Sequence, residues 1–112
     1  MQYSDGMIER VAGIFQSLSE TMRLKIMLNL KSGEKCVTEL IALTGAQQAN
    51  VSKHLGILKR FGMVKARRKG LNIYYSISDK RFLGICDSVC EYLAKRHEEE
   101  GGLFQEEEKE KK

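Results

Sequence analysis

The chain has no proline, so none of the stiff spacers that mark domain boundaries is present. Cysteine is scarce, with Cys36, Cys86 and Cys90 making an odd count. An odd count argues against a disulfide framework. There is no CxxC and no close Cys/His spacing, which excludes a zinc finger. No run of about 18 apolar residues exists, so no membrane-spanning helix is expected. The start, MQYSDGMIER, lacks the basic-then-apolar order of a secretory signal. These absences predict a cytoplasmic protein without membrane contact.

What is present is unevenly distributed. A length of 112 residues suggests one domain with a small core, the kind of chain that often gains stability by dimerising. The net charge of +4 hides two opposed blocks. Between Ser52 and Arg81 stand Lys53, Lys59, Arg60, Lys65, Arg67, Arg68, Lys69, Lys80 and Arg81, against the single acid Asp79. From Glu98 onward glutamate dominates. A basic block inside a folded segment implies a polyanionic partner, most often nucleic acid; the plainer reading is a solvated charged face.

The apolar periodicity divides the chain into elements. Ile8, Val11, Ala12, Phe15 and Leu18 recur at helical spacing and predict a helix over about 5–17. Ser19 is the expected N-cap of a second helix, ETMRLKIMLNL, closed by Gly33. Thr38 is expected to cap a short third helix through Leu43, with Leu40 and Ile41 facing inward. Gly45 supplies a tight turn. A fourth helix runs from about Gln48 to Phe61, with Val51, Leu55 and Leu58 inward and Gly62 as its stop. The period then changes to two. Residues 63–68 and 72–77 read as strands joined by Lys69-Gly70-Leu71. A last helix is expected from Lys80 to about Glu98, capped by Ser78 or Asp79, with Phe82, Ile85, Cys86, Val89, Cys90 and Leu93 as a wide apolar stripe. The expected fold is mostly α with a small β-hairpin (α+β), a winged helix-turn-helix in the order ααααββα. Residues 1–98 form the domain and residues 99–112 a charged, disordered tail.

This order carries a physical logic. The third helix braces the fourth, whose N-terminal residues Gln47, Gln48, Asn50, Ser52 and Lys53 reach base edges in a major groove. Gln and Asn can form paired hydrogen bonds with adenine, and Lys can reach guanine. His54, Lys59, Arg60 and the wing residues Arg67, Arg68 and Lys69 are expected to meet phosphates, giving affinity rather than sequence. The competing reading of Gln47, Gln48 and Asn50 is a run of polar residues at a helix start.

Several stretches resemble the ArsR/SmtB family of transcriptional repressors. These are Leu18-Ser19-Glu20-Thr21-Met22-Arg23-Leu24-Lys25-Ile26, Gln48-Ala49-Asn50-Val51-Ser52-Lys53-His54-Leu55, Gly62-Met63-Val64 and Arg67-Arg68-Lys69-Gly70 through Tyr74-Tyr75-Ser76-Ile77. The likeness covers about residues 8–95. Gln47 departs from it, because the family usually has a capping serine there; loss of such a cap costs about 1 kcal/mol. The resemblance implies a homodimer through the first and last helices, binding double-stranded DNA on an inverted repeat and releasing it when an inducer binds.

The family's metal positions are mostly missing. Cys36-Val37-Thr38-Glu39 keeps one thiol of a Cys-Val-Cys-Asp site. On the last helix, Arg81, Tyr92 and Lys95 follow Asp79 where further ligands belong, and cations there repel zinc. No metal or other cofactor is required. Cys86 and Cys90, at i and i+4, are the remaining effector candidates, with Cys36 the lesser one. Their Cβ atoms lie about 5–6 Å apart on one helix face, beyond the roughly 3.5–4.5 Å of an unstrained disulfide. A soft metal, a metalloid or a reactive sulfur species could bridge them; equally, both pack as small apolar groups. His97 reads as a solvated surface histidine. No base or phosphate loop accompanies the thiols, so no enzyme is expected. The alternative function is a winged-helix protein-interaction module without an inducer site.

Overall fold

The computed structural model describes residues 2–101; the tail expected from 99 onward lies almost entirely outside them. The described residues divide into two compact units, the first ending at Lys80 and the second beginning at Arg81.

The first unit opens with α1 (Asp5–Ser17), where the Ser4 hydroxyl accepts the Met7 amide at 3.1 Å and Asp5 sits favourably in the first turn. Next comes α2 (Thr21–Asn29), followed by a 3-10 turn at Leu30–Ser32. Ser19 does not cap α2. Its hydroxyl donates to the Gln16 carbonyl at 2.6 Å and so finishes α1, leaving Glu20 at the α2 N-cap without a side-chain bond. Helix α3 (Val37–Thr44) likewise starts earlier than Thr38 suggests, its cap lying two residues before that threonine. Its N-cap is Cys36, whose amide donates to the Glu39 carboxylate at 3.1 Å. Gly45, with φ +73, makes the turn into α4 (Gln48–Arg60), a conformation that a side chain at this position would strain.

A strand invisible to periodicity completes the sheet. Strand β1 (Lys35–Cys36) pairs antiparallel with β3 (Asn72–Ile77), which pairs with β2 (Val64–Lys69), giving the order β1-β3-β2. Two residues are too few to show alternation, which is why this strand escapes sequence reading. Lys69 is paired with Asn72, so the wing turn is Gly70-Leu71 rather than three residues. Gly70 has φ +64 and Leu71 does not have a positive φ, the pattern of a type II′ hairpin.

The core of this unit joins α2, α3 and α4. Ile26, Met27, Leu40, Val51, Leu55, Leu58 and Met63 are fully buried. Each such side chain contributes about 1.5–3 kcal/mol relative to exposure. The buried Ser17 hydroxyl donates to the Ile14 carbonyl at 2.7 Å and contacts the Met63 sulfur at 3.0 Å, so it is satisfied. Beyond the sheet, the Ser78 hydroxyl donates to the Gly62 carbonyl and the Ser78 amide to the Met63 carbonyl at 3.1 Å, pinning the end of β3 to the start of β2.

The second unit contains α5 (Arg81–Glu99). On it Cys86 and His97 are buried, while Val89, Tyr92 and Leu93 are exposed. His97 is therefore not the surface histidine expected. It lies eleven residues after Cys86, on the same face as Cys90 and Leu93, and so continues the stripe. No helix among the described residues is long and apolar enough to cross a membrane.

Candidate nucleic-acid interface

Helix α4 separates its two faces cleanly. Val51, Leu55 and Leu58 anchor it in the core; Lys53 and Arg60 lie on the opposite face, and Gln48, Asn50, Ser52 and Lys59 are exposed along its flanks. Gln47 is exposed at the N-cap and makes no side-chain cap bond; its carbonyl accepts the Asn50 and Val51 amides, each at 3.1 Å. The amide side chain is thus not committed to its own helix. A cleft of about 260 Å³ separates this helix start from the wing tip, lined by Cys36, Val37, Thr38, Ile41, Gln48 and Ile73 among others.

The wing presents its cations on two faces. Strand pairing sets Lys65, Arg67 and Lys69 on one side and Val64, Ala66 and Arg68 on the other. Arg67, Arg68 and Lys69 are all exposed, but they do not form one continuous row. Leu71 at the tip is 102% exposed, a bare apolar side chain among these charges.

His54 departs from the expected phosphate contacts. It is only 6% exposed, on the inner side of α4. The residues Val51, His54, Leu55 and Leu58 stand at i, i+3, i+4 and i+7, so the helical stripe that places the three apolar residues inward places the imidazole with them. Its Nδ1 and the Nε of Arg23 have no hydrogen-bond partner among the described residues. Burial pushes the imidazole below its ordinary value; the positive charges of Arg23 and Lys53 act in the same direction and Glu20 opposes them. The unfolded chain therefore takes up this proton more readily than the folded one. Stability from neutral His54 is complete above about pH 6.5 and is lost as the pH falls through and below that value. Urea titrations at about pH 7.5 and pH 5 should show the acid loss, and His54→Gln should lack that part of it. An equal loss in the variant would assign it to other groups.

The three cysteines are free thiols: Cys36 half-buried, Cys86 buried and Cys90 exposed. Burial pushes the Cys86 thiol up, with further contributions from Cys90 and Asp87, which keeps it protonated and slows its reaction as a nucleophile. Among the described residues no three His, Cys, Asp or Glu side chains gather where they could hold a metal ion.

Two helices joined by a glycine turn, the second polar at its exposed tip and followed by a cationic hairpin, define a winged helix-turn-helix protein. Residues 21–66 match the model of the arsR family of bacterial regulatory proteins. An uncharacterized HTH-type transcriptional regulator of Methanocaldococcus jannaschii is 39% identical over 74 residues, covering 64% of this chain and 83% of that protein. A transcriptional repressor SmtB homolog of Synechocystis is 34% identical over 85 residues, covering 76% of this chain. The match spans only 64% of that relative's own length. The solution structure of a homodimeric winged helix-turn-helix DNA-binding domain from Mycobacterium bovis, a possible ArsR-family transcriptional regulator, superposes with a TM-score of 0.73 at 30% identity, covering 88% of this chain and 93% of that one. The chain belongs to the ArsR family.

Proposed function

We propose that this protein is a cytoplasmic transcriptional repressor that binds an inverted-repeat operator as a homodimer and is not an enzyme. The observation that carries the reading is the exposed polar tip of α4 beside a cationic wing, on a helix whose other face is locked into the core. The base-reading set is Gln47, Gln48, Asn50, Ser52 and Lys53; Lys59, Arg60, Arg68 and Lys69 supply phosphate contacts. His54 is left out because it is buried. Duplexes of about 30 base pairs, selected for binding from a random pool and titrated by fluorescence anisotropy, test this directly. Enrichment of a two-fold-symmetric sequence is expected; a pool that never enriches would count against it.

Dimerisation is supported by α1, which exposes Met7, Ile8, Val11 and Phe15, and by α5, which exposes Val89, Tyr92 and Leu93. Large apolar side chains left in water along a helix are what a partner surface would cover. Phe15→Asp should therefore shift the protein to monomer in sedimentation velocity and weaken binding to a two-site duplex far more than to a half-site. A dimer that survives Phe15→Asp together with Leu93→Asp would remove both helices from the interface.

For the effector, the reading is thiol or soft-metal chemistry at Cys86 and Cys90. Support comes from their common face on α5 and the exposure of Cys90, which leaves one sulfur open to reagents. Arsenite, cadmium and an organic polysulfide should each be tried on DNA complexes of the wild type and of Cys86→Ser/Cys90→Ser. Release confined to the wild type is the expected result. No release under any treatment would leave the two cysteines as packing groups.

A further inference from the structure

One cation of the wing is already engaged. Glu34, in the turn ahead of β1, accepts the Arg67 Nε–H on Oε2 at 2.8 Å and the Arg67 Nη2–H on Oε1. The same guanidinium lies over the Tyr74 ring, 5.7 Å from its centroid. The strand register puts Arg67 opposite Tyr74 and Tyr74 opposite Cys36. The guanidinium thus links β2 to the ring on the central strand and to the carboxylate beside the edge strand. A planar guanidinium suits this paired grip, because its fork matches a carboxylate and its face stacks on an aromatic ring.

Resting on the DNA-binding reading above, we propose that Arg67 is a positioning residue rather than a phosphate contact: with Glu34 and Tyr74 it fixes the angle of the wing, and the wing meets the duplex through its other cations. Two arguments support this. The Arg67–Glu34 pair has no net charge, so it displaces no counterion from DNA as a unit. For Arg67 to reach a phosphate it would have to abandon a two-pronged pair and leave a bare carboxylate close to a polyanion. The side chains are 55% and 35% exposed, so the pair adds little to global stability. Its effect lies in geometry. The edge strand it grips has only two residues and few ladder bonds of its own.

Substituting Glu34 separates the two roles by sign. Binding of the full chain to its selected duplex is measured by anisotropy from about 50 to 300 mM KCl, with Arg68→Gln as the reference phosphate contact. Arg68→Gln should lower the slope of log affinity against log salt by about 0.9. Arg67→Gln should weaken binding by about three- to tenfold with no change in that slope, and Glu34→Gln should weaken it by a similar factor although it removes a negative charge. The exchanged pair, Glu34→Arg with Arg67→Glu, should recover most of the affinity, which no phosphate contact would do. Tighter binding by Glu34→Gln, or a slope lowered by Arg67→Gln, would overturn the proposal; so would wild-type affinity in both single variants. If the wild type binds no duplex while remaining folded, the DNA-binding reading fails instead. The clamp is then judged in the free protein by hydrogen exchange. Faster exchange of the amides of Lys35 and Tyr75, which pair across β1 and β3, in both variants supports it, and unchanged exchange overturns it.

Discussion

Lys53→Glu should lower affinity for the selected duplex by about 100-fold and flatten its salt dependence by about one counterion. Lys53 is exposed in the second turn of α4, one residue after Ser52, on a helix whose register is fixed from the other side by Val51, Leu55 and Leu58. The helix cannot roll to hide the new charge without exposing that stripe. Loss of a good base or phosphate contact is worth about 1–3 kcal/mol, and a carboxylate facing phosphates adds repulsion. Anisotropy titrations at several salt concentrations read both quantities. An unchanged dissociation constant would show that this end of α4 does not face DNA, and the assignment of Gln48, Asn50 and Ser52 would fall with it.

Leu55→Ala should cost about 2–5 kcal/mol of folding stability. Leu55 is fully buried in the middle of α4 with fully buried Val51 and Leu58 on the same stripe. Its removal leaves a cavity that the close-packed helices fill only partly. Small domains unfold with about 5–15 kcal/mol in total, so this one change removes a large share. The melting temperature should fall by about 10–20 °C in calorimetry at one fixed protomer concentration, a precaution needed wherever association adds to stability. Leu43→Ala is the control: that side chain is 53% exposed, and its loss should stay within about 0.5 kcal/mol. Equal losses at the two positions would mean that the core does not lie between α2, α3 and α4 as described.

The helices could be read because their information is local. The stripe in α4, the glycines at 45 and 62 and the period-two run in β3 each state a conformation within a few residues. The candidate site was legible for the same reason, since the exposed residues of a helix are those its stripe leaves over. One polar residue sits inside the stripe. His54 occupies its i+3 position, but polar side chains are usually assigned outward, so the spacing signal that buries it was overridden by residue type. The caps of α2 and α3 moved because Ser19 and Thr38 each had a competing use or a competing neighbour. A hydroxyl can finish one helix as readily as begin the next, and the Cys36 amide with Glu39 supplied an earlier start.

By itself the order of residues determined that the chain folds into four helices, a hairpin and a fifth helix, with a basic middle and a polar helix tip. Local sterics and apolar spacing suffice for that. Tertiary structure alone decided that Lys35 and Cys36 form a strand, that His54 is enclosed, and that Arg67 is held by a carboxylate 33 positions away. Such pairings depend on which distant segments the core brings side by side. Periodicity carries no record of that, because each partner looks ordinary until the other arrives.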